Sequence, residues 1–225
     1  CTKLVSVNIP SGVLAIKDWT FHSCASLPSI SIPSSVTKIG DCAFQGCASL
    51  TNVSIPTAVT TIGSWSFSGC TSFTSFVIPD GIATISNDTF NSCSNLASIF
   101  IPNSVTDIGI GAFNNCTKLV SVNIPSGVLA IKDWTFNSCA SLASVTIPSS
   151  VTSLGFNSFT ACTNLASINI PSSVNSIGIG AFYNCSKLAS ILIPSGVTAI
   201  NDYTFQGCAS LASVTIPSSV TSLGF

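Results

Sequence analysis

Cysteine is the residue type most able to do chemistry in this chain. Ten of the eleven cysteines, Cys1, Cys24, Cys47, Cys70, Cys93, Cys116, Cys139, Cys162, Cys185 and Cys208, stand 23 residues apart without exception. Regularly spaced thiols suit disulfide pairing, metal ligation or nucleophilic attack, and each use has a geometric condition. A disulfide needs converging Cβ vectors. Equivalent positions in successive copies of one unit carry parallel vectors, so pairing would distort alternate units. A metal site or a thiolate nucleophile needs further ligands or a base nearby, and no histidine or acidic residue recurs beside the Cys slot. The spacing therefore predicts a column of free, buried thiols serving as small apolar fillers. Cys42 is out of register and occupies the slot that holds Trp19, Trp65, Trp134 and Tyr203 in other copies.

The other chemically capable residues are few. His22 is the only histidine, and its equivalents are Gln45, Ser68, Asn91, Asn114, Asn137, Thr160, Tyr183 and Gln206. A slot that accepts almost any polar side chain reads as a solvated surface position, not as a general base. Asp18, Asp41, Asp133 and Asp202 share one slot just after the bend that the unit's Ile-Gly position makes, where a side-chain oxygen suits a turn. Calcium would need six to eight oxygens from a richer loop. Gly109-Ile110-Gly111 and Gly178-Ile179-Gly180 are isolated and make no phosphate cradle. The expectation is a protein that is not an enzyme, with no catalytic, cofactor-binding or metal-binding residue and no cofactor.

Composition narrows the partners. Only 6 % of the 225 residues are charged, and the net charge is −1, against about 25 % charged in ordinary soluble chains. Such a chain offers no basic footprint for phosphate backbones, so nucleic acid is excluded as a partner. No apolar run reaches the roughly 18 residues that span a bilayer, and no membrane insertion is expected in this segment.

The elements that position these residues follow from the 23-residue period, which marks a repeat architecture. One unit reads Cys-x-x-Leu-x-Ser-Val-x-Ile-Pro-Ser-x-Val-x-x-Ile-Gly-x-x-x-Phe-x-x. CTKLVSVNIPSGVLAIKDWTF recurs at 1–21 and 116–136, and CASLASVTIPSSVTSLGF at 139–156 and 208–225. Such copying suits a stack in which each unit touches only its neighbours. Val7 and Ile9 alternate with Ser6 and Asn8, which predicts a short half-buried strand ended by proline. Val13 and Ile16 return a second short segment to the core, the Gly slot turns the chain, and Phe21 fills the interior. No segment carries enough helical periodicity for more than a single turn. The expected fold is a β-dominated repeat solenoid. It has a parallel sheet on one face and short strands, turns and single 3-10 or helical turns on the other. Residues 1–225 read as a single solenoid domain of nine full repeats plus a partial tenth, a fragment lacking terminal caps.

At this level of detail the residues resemble a known family. CAFQGCASLTNVSIPTAVTTIG (42–63) and GAFNNCTKLVSVNIPSGVLAI (111–131) are similar to the BspA-like class of leucine-rich repeats, and the match runs the whole chain. The family is largely made of surface or secreted proteins of bacteria and parasitic protists, several of which bind host proteins or matrix. The resemblance implies an extracellular or cell-surface location, a protein-binding and adhesion scaffold, and no catalytic residue. The very low charge departs from the family pattern.

The strand face supplies the candidate site. Its outer side should show Ser6, Ser29, Asn52, Ser75, Ser98 and their equivalents in one column. The other column runs Asn8, Ser31, Ser54, Val77, Phe100, Asn123, Thr146, Asn169, Leu192 and Thr215. Val77 and Phe100 break the polar pattern in adjacent units. A protein ligand, such as a host or matrix protein, is expected to centre on Ser75, Val77, Ser98 and Phe100. Two alternatives remain open. One is a structural spacer in a larger surface protein, favoured by the identical units. The other is a binder of a regular lattice, polysaccharide or ice, through the Ser/Thr/Asn face. Trp19, Trp65, Trp134 and Tyr203 could form a sugar-stacking stripe, but a partly buried packing role is expected for them. Four sequons, at Asn52, Asn87, Asn115 and Asn184, permit glycosylation in a secreted eukaryotic setting. Neither end reads as a polar cap, so the stack is expected to continue beyond both ends, and this piece to self-associate end to end.

Overall fold

The structure, a computed structural model, describes residues 1–225. Numbering the coils from each periodic cysteine, coil 1 is 1–23, coil 2 is 24–46, and so on to the partial coil 10 at 208–225. Every strand is parallel to its neighbour and shifted from it by one period. Ser29–Ser31 pairs with Asn52–Ser54, Ser75–Val77 with Ser98–Phe100, Ser121–Asn123 with Ser144–Thr146, and Ser190–Leu192 with Ser213–Thr215. The alternation read from the sequence holds throughout this face. All ten residues of each column, from Ser6 to Ser213 and from Asn8 to Thr215, are exposed, and the residue between them points inward.

A second ladder of two-residue strands runs through the Ile before the Gly slot, from Ala15–Ile16 to Ser222–Leu223. It is broken after Ile62, after Ile108 and after Ile177. The breaks have one cause. Gly40, Gly63, Gly109, Gly155, Gly178 and Gly224 each donate a backbone N–H to the carbonyl of the Ile or Leu one coil earlier, over 2.7–2.9 Å. A Cβ at Gly155 would lie 2.6 Å from the backbone nitrogen of Asp133. The three breaks fall where this slot holds Ser86, Lys132 or Asn201. There the side chain takes over where it can: Ser86 Oγ donates to Ile62 O at 2.6 Å and Asn201 Nδ2 to Ile177 O at 2.6 Å. The Gly slot leads into the turns of the next segment, as the sequence suggested, without a left-handed backbone of its own. None of these six glycines has a positive φ; their role is to let neighbouring coils approach.

The third segment of each coil carries the Phe and closes the unit without a helix. Alternate N–H groups leave the segment: Trp19, Phe21 and Ser23 donate to Asp41, Ala43 and Gln45 of the next coil at 2.9, 2.8 and 2.7 Å. Those between them close local turns, Thr20 to Lys17 and His22 to Trp19. A helical turn needs consecutive N–H groups directed along its own axis, so this alternation replaces the single helical turn allowed by the sequence. Trp19 and Ser23 have φ of 61° and 55°, and their equivalents are left-handed in coil after coil.

The core is one continuous cluster from Ile16 to Cys208. Along its axis the Phe rings stack with centroids 5.3–6.0 Å apart and planes within 16°, from Phe21–Phe44 to Phe182–Phe205. Each ring sits where aromatic pairs are attractive, so the column repeats one favourable contact in every coil.

Candidate functional site

The thiol column is buried from Cys24 to Cys208, and all eleven cysteines are free. Each thiol from Cys47 onward donates to the carbonyl of the Phe 26 residues earlier: Cys47 to Phe21 at 3.1 Å, Cys93 to Phe67 at 3.1 Å, Cys208 to Phe182 at 3.1 Å. The slot is thus a fixed weak donor as well as a filler. Burial pushes the Cys93 and Cys185 thiols up to about 12 and Cys47 to about 11, against an ordinary 9.0. Protonated, enclosed thiols are poor nucleophiles. Cys42 is also buried. Burial, then the neighbouring carboxylates of Asp41 and Asp18, raises its pKa.

The Asp slot works between coils. Asp18 Oδ1 accepts from the backbone N–H of Asp41 at 2.9 Å, Asp41 from Ser64 at 2.8 Å, Asp133 from Phe156 at 2.7 Å, and Asp202 from Phe225 at 3.1 Å. All four stand in turns, as expected, but the backbone N–H each accepts from belongs to the next coil, so these carboxylates tie one coil to the next. No group of three His, Cys, Asp or Glu side chains is placed to hold a metal ion. His22 is half-buried, not fully solvated, with Nδ1 3.2 Å from Ser23 Oγ and its ring 4.9 Å from Trp19. Its equivalents form side-chain contacts of their own, such as Asn137 Nδ2 donating to Asn114 Oδ1 at 2.8 Å.

The strand face holds the most distinctive surface. Val77 and Phe100 are register partners, and they are 66 % and 58 % exposed. A hollow of about 530 Å³ opens beside them, lined by Asn52–Ile55, Thr57, Ser75–Asp80 and Phe100. It lies where Asn52–Ser54 and Ser75–Val77 are adjacent but unpaired. At this step the inner side is swollen: Phe73 and Phe76 replace the smaller residues of other units and pack on Phe67 and Phe90 at 4.7–5.9 Å. Phe100 also borders a second hollow with Asp80, Asn103, Ser104 and Asn123. Leu192, 65 % exposed, is the other large apolar residue of this column, and its polar neighbours isolate it.

The aromatic slot meets expectation in part. Trp65 and Trp134 are partly buried, 38 % and 39 % exposed, whereas Trp19 and Tyr203 stand further out. They sit in non-adjacent coils and make no continuous stripe. All four have left-handed backbones, a feature that Trp and Tyr do not signal in a sequence. The four sequon asparagines are exposed, and no helix is long and apolar enough to cross a membrane.

Comparison with known proteins agrees with this geometry. The model of the BspA type Leucine rich repeat region, six copies, matches residues 1–120 and 106–225. A leucine-rich repeat protein from Bacteroides ovatus is 29 % identical, with a TM-score of 0.76 over 100 % of this chain and 70 % of that one. The T. pallidum leucine rich repeat protein is 34 % identical, with a TM-score of 0.61 over 78 % of this chain and 72 % of that one. The pneumococcal vaccine antigen PcpA shares the fold at 15 % identity, with a TM-score of 0.59 over 94 % and 66 %. No curated protein matches the chain.

Proposed function

Because the chain belongs to the BspA-type leucine-rich repeat family, we propose that this repeat scaffold is a non-enzymatic, extracellular or cell-surface protein-binding module, adhesive in role. The observation that carries the proposal is the exposed pair Val77 and Phe100 on an otherwise hydroxyl- and amide-covered face. The pair adjoins a hollow at an interruption of the sheet. Large apolar side chains grouped on a polar surface mark interaction sites. Burying both against a partner would contribute about 2–4 kcal/mol. Ser75 and Ser98 flank the pair and supply adaptable hydroxyl hydrogen bonds. The partner is a protein ligand, a host or matrix protein. The 225 residues act as one unit, since each coil relies on its neighbours for its core.

The test is binding of the chain to a panel of purified extracellular-matrix proteins on a biosensor surface. At least one should bind, and Phe100→Ser should weaken that binding tenfold or more. Binding that is indifferent to Phe100→Ser, or no binding across the panel, would reject the proposal.

A spacer role is the second reading, favoured by the identity of 139–156 with 208–225. End-to-end association is a further part of the proposal. Leu4, Val7, Leu211 and Val214 are only partly covered at the two ends of the stack, and a second copy could cover them. Light scattering at rising concentration tests it, and a strictly monomeric species would contradict it.

A further inference from the structure

We propose a second binding site, for a neutral saccharide, on the corner that carries the Phe segments of coils 7 to 9. It rests on different residues from the protein-binding face. A shallow hollow of about 340 Å³ lies there, lined by Phe156, Asn157, Ile179, Tyr183, Tyr203 and Gln206. Three departures from the repeat create it. The slot that holds Asp18, Asp41, Asn87 or Asp133 elsewhere holds Phe156 and Ile179 in coils 7 and 8. The following slot holds Gly180, which leaves room for the Asn157 side chain, whose Oδ1 stands where a Cβ would be. The variable polar slot of His22 holds Tyr183.

The backbone of its own slot presents the Tyr203 ring. Tyr203 has φ of 59°, in a slot where coils 5 and 8 place Gly111 and Gly180 at φ of 61° and 62°. A bulky residue in that conformation is disfavoured, and Tyr203 gains little from burial in return, being 50 % exposed. Every full coil holds this slot left-handed, Trp19, Trp65 and Trp134 included, so the repeat sets the conformation, and in coil 9 it leaves a half-exposed ring lining the hollow. Trp134 braces the far wall, edge-on to Phe156 with centroids 5.1 Å apart.

The chemistry selects the ligand. Phe156, Tyr183 and Tyr203 offer apolar ring surface, and the two tyrosines add a polar hydroxyl at the edge. Thr160 Oγ1 donates its one proton to the Gly180 carbonyl at 2.7 Å and lies 3.0 Å from the Asn157 side-chain amide, and Asn157 and Gln206 bring two amide groups to the hollow. No charged side chain lines the hollow. A neutral pyranose ring, with C–H faces and hydroxyl edges, matches such a surface, while an ionic ligand finds no counter-charge. The volume falls at the small end of the roughly 300–1,000 Å³ of small-molecule sites, the size for one or two sugar rings.

The experiment is ligand-observed NMR of the full chain with lactose, cellobiose, maltose and chitobiose. At least one should contact the protein with millimolar affinity. Tyr203→Gly removes the ring while suiting the left-handed backbone, so it keeps the fold, and it should weaken binding at least tenfold. Trp19→Gly changes the equivalent slot of coil 1 and should leave binding intact. The proposal is overturned by absence of contact up to about 10 mM of every disaccharide. It is equally overturned by contact that survives Tyr203→Gly, or by an equal loss in Trp19→Gly.

Discussion

The backbone N–H of Gly155 donates to the carbonyl of Ile131 one coil earlier, over 2.7 Å, whereas the backbone N–H of Lys132, in the same slot of the preceding coil, has no such bond. The difference divides the coils into two kinds. Coils with Gly in this slot close onto the preceding Ile and carry Ala or Ser three residues later: Ala43, Ser66, Ala112, Ser158, Ala181. Coils with Lys, Ser or Asn stand off and carry Thr three residues later. Thr20, Thr89, Thr135 and Thr204 each donate Oγ1 back to the slot's own carbonyl at 2.7–2.9 Å.

Substitution of the glycine should therefore be costly. In Gly155→Ala the new Cβ meets the Asp133 and Lys132 backbone at 2.6 Å, and coil separation weakens the bond to Ile131. The expected loss is about 2–4 kcal/mol, combining overpacking with one hydrogen bond. Gly12→Ala, with nothing within 4 Å of the new Cβ, should be neutral or stabilise by about 0.5 kcal/mol. Denaturant titration of both variants checks the contrast, and equal midpoints would refute it.

The ring column and the face residue should separate cleanly. Phe113 is fully buried between Phe90 and Phe136, so Phe113→Ala should cost about 3–5 kcal/mol. Phe100 is a surface ring, so Phe100→Ser should change stability by no more than about 0.5 kcal/mol. Thermal unfolding measures both. A sharp fall in melting temperature for Phe100→Ser would place that ring inside.

The buried thiols give stability a pH dependence. Unfolded cysteines ionise near 9.0, while Cys93 and Cys185 hold their protons to about 12. Between those values the unfolded chain sheds protons that the folded chain keeps. The column's contribution is complete below about pH 8 and is lost as pH rises toward about 12. Unfolding midpoints from pH 7 to 11 should fall. The fall should be shallower in a Cys93→Ser/Cys116→Ser variant, whose hydroxyls do not ionise in this range; identical slopes would contradict the thiol origin.

Thiol labelling reads the same column directly. A maleimide probe should modify Cys1, which is exposed, in the native protein, while Cys47 to Cys185 react only on unfolding. All eleven should label in denaturant without reductant. Eight or more blocked thiols there would mean disulfides.

Much of this was legible in the residues. The 23-residue period, the strand at Ser6-Val7-Asn8 and its equivalents, the proline stop and the core Phe follow from spacing and alternation alone. So does the outward placement of Val77 and Phe100, because a strand's faces alternate strictly. The left-handed backbone at Trp19 and Trp65 was not legible, since neither residue type favours it. The Asp18 contact was missed because its partner, the Asp41 N–H, is distant in sequence and adjacent only after stacking. The two kinds of coil did leave a signal, the linked change of Gly to Lys, Ser or Asn with Ala or Ser to Thr. Its meaning needed the distance from Gly155 to Ile131.

The most direct test of the proposed recognition face compares two substitutions in one column against the same matrix protein. Phe100 lies beside Val77, its register partner, whereas Leu192 is as exposed but paired with Thr215. Phe100→Ser should weaken binding at least tenfold, Leu192→Ser should leave it unchanged, and both proteins should melt with the parent. Equal effects of the two substitutions, or none from Phe100→Ser, would contradict the assignment of this face.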